Sequence, residues 1–134
     1  VGLIMKIYDK NKLLLALIIR SDEIKEGRNF HTENEEEFQV ASFNFNEDVV
    51  IDNHIHLNQK RNINSTVETL FVIEGTMKVF IYDNNLDLVD ESLLSSGDTV
   101  VFLRGGHGLK VHKGCKFVEA KQGPYIEELD KKRF

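Results

Sequence analysis

Turn signals recur along this chain at intervals too short for a helical protein. Asp9-Lys10-Asn11-Lys12, Asp83-Asn84-Asn85, Ser95-Ser96-Gly97-Asp98 and Gly105-Gly106 each interrupt a run rich in Val, Ile, Leu, Phe or Tyr. Short apolar runs between such turns read as strands. Leu3–Tyr8 and Leu13–Ile19 form a hairpin around the first turn, and Ser21–Asn34, charged and containing Gly27, reads as a connector. From Phe38 to Phe45 the period is two, the signature of a half-buried strand. Val49-Val50-Ile51 leads into His54-Ile55-His56, and the polar Asn58–Ser65 reads as a loop. Thr66–Glu74, Met77–Tyr82, Leu86–Leu94, Thr99–Leu103, His107–His112 and Cys115–Lys121 follow as strands. Past Gly123-Pro124, Tyr125–Phe134 is a charged tail with room for a short helix. Many short strands at this spacing predict an all-β sandwich or barrel.

Length and charge narrow the class. A chain of 134 residues without repeats supports one domain, residues 1–134, with a real core. Seventeen basic against twenty-two acidic residues leave a net charge of −5, which disfavours nucleic acid as a partner because phosphate binding wants a basic face. Neither N-terminal apolar run reaches the roughly 18 residues a membrane span needs, and no secretory leader pattern opens the chain. Cys115 is the only cysteine, so an intrachain disulfide is impossible. A reducing, cytoplasmic setting is the expectation.

The chemistry is concentrated between His54 and His107. Two histidines at i, i+2 on a strand share a face. Glu68 enters a strand otherwise made of Leu70, Phe71, Val72 and Ile73, where a carboxylate needs something to neutralise it. His107 follows a double glycine, where the backbone can turn sharply and aim a side chain inward. Three imidazoles and one carboxylate on strands make a candidate metal site, since such ligands must converge to about 2.0–2.2 Å from an ion.

At these residues the chain resembles the cupin superfamily. His54-Ile55-His56 followed by Glu68, six residues and Gly75 is similar to the first cupin motif. Gly97-Asp98 through Gly105 and His107 is similar to the second. The link between His56 and Glu68 is longer than the family's, the opening glycine is missing, and Leu103-Arg104 stands where a proline is usual. The resemblance spans about residues 38–121. It implies a cupin double-stranded β-helix, a jelly-roll barrel with added N-terminal strands and a short C-terminal tail. It also implies His54, His56, Glu68 and His107 as ligands of one divalent metal ion (zinc, iron, manganese or nickel), and a homodimer. Small bacterial cupins of this kind often accompany surface-sugar genes, so a sugar or nucleotide sugar is one expected ligand.

Other residues weigh less. Lys60 and Arg61 in the long loop, with Arg104 in the second motif, are candidates to bind an anionic substrate group. Tyr125 could return over the mouth as an acid or lid, with packing as its ordinary role. Cys115 reads as a buried small hydrophobe; His31, His112 and the Glu33–Glu37 run read as surface. Both faces of Thr66–Glu74 are apolar beyond Glu68, so the outer one needs a cover. The N-terminal strands or a second subunit could supply it, and a homodimer is preferred. The functional expectation is a metal-binding small-molecule protein. Its chemistry would be isomerase- or epimerase-like, with non-catalytic ligand binding or iron-dependent dioxygenation as alternatives.

Overall fold

The structure is a computed structural model that describes residues 4–134. Strands dominate it, in three antiparallel sheets, none of them closed into a barrel. The largest sheet has the order β1-β2-β8-β5-β10: Met5–Tyr8 (β1), Leu14–Ile19 (β2), Thr99–Phe102 (β8), Glu68–Glu74 (β5) and Lys116–Lys121 (β10). A three-stranded sheet is ordered β7-β6-β9, from Leu88–Ser95 (β7), Thr76–Tyr82 (β6) and Gly106–Val111 (β9). Gly27–Phe30 (β3) and Ala41–Asn44 (β4) pair as a separate ribbon. One short helix, Glu127–Asp130 (α1), stands in the C-terminal tail.

Two apolar layers explain why the central strands read as continuous hydrophobic runs. Ile18, Leu70, Val72, Val100 and Phe102 of the large sheet meet Met77, Val79, Ile81 and Leu94 of the three-stranded sheet in the main core. The opposite parity of the same strands, Leu17, Ile19 and Val101, packs with Val40, Val67 and Leu103 and is covered by Ile24 and Phe38. Strands buried on both faces lose the polar alternation that marks a half-exposed strand. In β6 the alternation is retained: Met77, Val79 and Ile81 are buried and their neighbours are not.

Buried polar groups fasten the ends. Asp98 is buried, accepts the Ser95 amide at 2.9 Å and receives the Arg20 guanidinium at 2.9 Å. It thereby ties the β7–β8 turn to the end of β2. Gly105 has φ +73, and a Cβ there would stand 2.2 Å from the Tyr82 carbonyl oxygen. Only glycine lets the chain pass this close before β9.

Several expectations are corrected. The sheets are open, so the all-β class stands without barrel closure. Residues 21–34 are more than a connector, because β3 lies within them, stabilised by its ladder with β4 (Gly27↔Asn44, Phe30↔Ala41). Val49–His56 is not a strand. Asp52-Asn53 splits its apolar run, and the His54 ring Nδ1–H donates to the Asp52 carbonyl at 2.8 Å in place of a ladder partner. Leu3, expected at the start of the first strand, lies outside the described residues.

Candidate functional site

Glu68 is the first residue of β5, and its parity with Leu70 and Val72 turns it toward the space between the two larger sheets. Its cross-strand neighbours are Phe102 on β8 and Lys121 on β10. On the facing sheet, His107 pairs with the buried Ile81 of β6, which turns the imidazole to the same interior. The two meet: Nε2 of His107 lies 2.9 Å from Oε2 of Glu68, with side chains 28% and 15% exposed. The ring is stacked flat on Phe102, centroids 3.9 Å apart and planes 4° apart. An apolar floor and a carboxylate therefore fix both the tilt and the rotation of this imidazole.

Two further side chains from β10 join this end of the core. Phe117, Glu119 and Lys121 share one parity, and Phe117 packs against the main core. Glu119, two residues before Lys121 on the same parity of β10, is close enough to Glu68 for the two carboxyls to influence each other's titration. The His107 hydrogen bond holds the Glu68 carboxyl far below the usual carboxylate range, at about 2, against the opposing effect of burial. The Glu119 carboxyl is pushed up, first by the neighbouring Glu68 carboxylate and then by burial. The two shifts are opposite in sense: charge is favoured on Glu68 and disfavoured on Glu119. Lys121 donates to Asp130 of α1 at 3.3 Å, which holds its ammonium in the charged form, and lies 5.1 Å from the Tyr125 ring centroid. Phe134 stands edge-on to Tyr82 with centroids 5.0 Å apart, and against Gly106. The C-terminal tail is thus folded back beside His107 and Lys121.

The other expected site residues are placed elsewhere. His54 and His56 are exposed on an irregular stretch, their rings 5.4 Å apart and edge to face. The i, i+2 rule aims two rings at one point only within a strand, and this stretch has no ladder. Among the described residues no group of three or more His, Cys, Asp or Glu side chains is gathered as metal donors. Of the expected four ligands, Glu68 and His107 meet while His54 and His56 do not join them. The four donors as placed do not fit one ion.

Lys60 and Arg61 are exposed. The Arg104 guanidinium is occupied, donating to the Leu14 carbonyl at 3.0 Å and paired with Glu36, so it acts as a clamp. Tyr125 is 60% exposed and serves as a platform for the Lys121 ammonium. Cys115 is half-buried against the core. His31 and His112 do more than sit on the surface, for each ring holds a hydroxyl, Ser42 and Thr76 respectively, at 2.8 Å. Glu119 and Lys121 are the residues sequence reasoning missed. Their signal was the alternation Phe117, Glu119, Lys121 in the last strand.

Residues 20–94 match the family model of a domain of unknown function (DUF6016), more than half of the chain. The chain belongs to that family. The DUF6016 match contains Glu68 and the His54–His56 stretch, and His107, Glu119 and Lys121 lie beyond its end. No curated protein and no solved structure shows significant similarity to the chain.

Proposed function

We propose that this DUF6016 protein is a small cupin-like protein that binds a small hydroxylated, carbonyl-bearing molecule of the sugar type. In this reading it moves a proton on that molecule, as an isomerase or epimerase does. The observation that carries the reading is the Glu68–His107 pair at 2.9 Å, with a second carboxyl, Glu119, on the neighbouring strand β10, where the nearby Glu68 carboxylate pushes its pKa up. A carboxylate accepting from Nε2–H selects the tautomer whose Nδ1 is an acceptor. His107 then takes a proton next to the substrate carbonyl, Glu68 orients the ring and balances its charge, and Glu119 returns a proton to the carbonyl oxygen. Lys121 contributes positive charge where an enolate would form. No helix of the described residues is long and apolar enough to cross a membrane, and one lone thiol suits a cytoplasmic setting. Exposed Phe71, Ile73 and Val118 leave part of the outer face of the large sheet uncovered, which supports a homodimer.

The test is deuterium wash-in. Aldoses, ketoses and hydroxy acids are incubated with the protein in heavy water and followed by NMR. Exchange at the carbon beside the carbonyl, lost in His107→Gln and reduced in Glu119→Gln, supports proton transfer. Ligand-induced shifts without exchange would reduce the reading to binding alone, and neither shift nor exchange would end it.

A second reading retains one divalent metal ion. It is favoured by the contact between Glu68 and His107, two of the four expected donors, and requires His54 and His56 to reach them from an exposed, irregular stretch. Zinc titration by calorimetry tests it, because that reading requires about one equivalent, weakened in both Glu68→Ala and the His54→Ala/His56→Ala double variant. Zinc binding that ignores both changes would remove it.

A further inference from the structure

A cavity of about 430 Å³ lies on the other side of the large sheet from Glu68 and His107. Ile4 and Lys6 form one wall; Lys6 is paired with Leu17, a member of the outer apolar layer. The turn into β3 and the β3–β4 ribbon form the rest, and none of the cavity's lining residues belongs to the Glu68–His107 centre. Its charge opposes that of the chain. Lys6, Lys25, Arg28 and His31 line it against a single acid, Glu23, in a protein of net charge −5.

The basic groups are presented by ordered backbone and have no acidic partner within ion-pair distance among the described residues. The Asn29 side-chain amide donates to the Lys25 carbonyl at 2.8 Å and more distantly to Ser42, which ties the turn carrying Lys25 to both strands of the ribbon. Arg28 is steered by the Phe45 ring, 5.5 Å from its centroid. His31 is held by the Ser42 hydroxyl at 2.8 Å. At the rim, Phe30 is 73% exposed although it is braced edge-on by Phe43, centroids 6.2 Å apart. A rigid aromatic face beside unpaired cations is an arrangement for a flat ring bearing an anionic group.

We propose that this cavity is a binding site for a mononucleotide-like ligand, with the phosphate held by Lys6, Lys25 and Arg28 and the base stacked on Phe30. The cavity is of the size that takes small molecules. Phosphate favours Arg and Lys through charge-assisted hydrogen bonds, and base–aromatic stacking accepts any base. His31 reports occupancy. Burial, and then the nearby Lys6 charge, disfavour its protonated form. The charged groups around it are Lys6 from β1, Glu23 from the turn after β2, Lys25 from the turn into β3 and Arg28 from β3; β4 offers the neutral Ser42. A phosphate among these groups reverses the local potential, so its arrival raises the His31 pKa.

The experiment titrates adenosine monophosphate into the full chain at low salt, by calorimetry and by NMR of the histidine rings. Saturable binding is expected, weakened about tenfold or more by Arg28→Ala, and weakened by added salt. Adenosine is expected to bind far more weakly. Ribose 5-phosphate should match the nucleotide only in Phe30→Ala, where stacking is gone. The His31 titration should move to higher pH on saturation. Glu23→Gln, which removes the lone acid and leaves the walls intact, should tighten binding, and it keeps the test decisive if Arg28→Ala folds poorly. Equal binding of nucleotide and nucleoside, binding indifferent to Arg28 and Glu23, or no binding at millimolar concentration each overturns the proposal. So does a strong preference for a single-stranded oligonucleotide over the mononucleotide, which would mark a surface track instead of a pocket.

Discussion

Replacing Glu68 by Gln should erase a specific pH dependence of stability. In the folded protein the Glu68 carboxyl sits at about 2 instead of 4.5, chiefly because His107 donates to it. A folded value below the unfolded one means stability fully present above about pH 4.5 and lost as pH falls toward 2. The displacement corresponds to about 3 kcal/mol in gross terms. With the side chain only 15% exposed, solvent screening removes little of it. Roughly 2 kcal/mol of this disappears between about pH 6.5 and about pH 3. The raised Glu119 carboxyl works in the opposite sense: its contribution is present at low pH and fades as pH rises through its folded value. The net loss on acidification is therefore about 1–2 kcal/mol. Urea unfolding of wild type and Glu68→Gln, followed by circular dichroism at both pH values, reads this directly. The stability gap between the two proteins should shrink by that amount at the lower pH, and His107→Gln should flatten the profile nearly as much. A gap that is the same at both pH values would refute the argument, because the carboxylate would then gain nothing from its partners.

Three further outcomes are expected. Asp98→Ala should lose about 2–4 kcal/mol in urea unfolding, since it strands the Arg20 guanidinium and frees the Ser95 amide at a buried turn. Arg104→Ala should cost about 1–2 kcal/mol through the lost Leu14 and Glu36 contacts. It should leave ligand affinity unchanged in the NMR assay, because the guanidinium is already occupied. Deleting residues 58–62, all exposed, should change stability by less than about 1 kcal/mol; a larger loss in thermal melting would show that the loop is packed.

Much of the scaffold was legible because it is written in local rules. The turns at Asp83–Asn85 and Ser95–Asp98 and the runs in Met77–Tyr82 and Thr99–Phe102 are short-range signals, and they stand where they were expected. Glu68 pointing inward followed from parity with Leu70 and Val72, and His107 from its glycine-marked entry. Parity failed at His54-Ile55-His56, because it holds only where a neighbouring strand supplies a ladder. The same dependence hid β3, whose polar Gly-Arg-Asn-Phe becomes a strand through β4.

By itself the sequence determined that the protein is all-β and where most strands lie; it expected three imidazoles and one carboxylate to turn inward, and of these Glu68 and His107 do. Only the tertiary structure decided which groups meet there. The register of β10 on β5 brings Lys121 beside Glu68 and Glu119 opposite Leu70, and the packing of β9 over β8 lays His107 on Phe102. Alternation is a property of each strand alone. Which strand lies next to which, and in what register, depends on hydrogen bonds and packing between residues far apart in the chain.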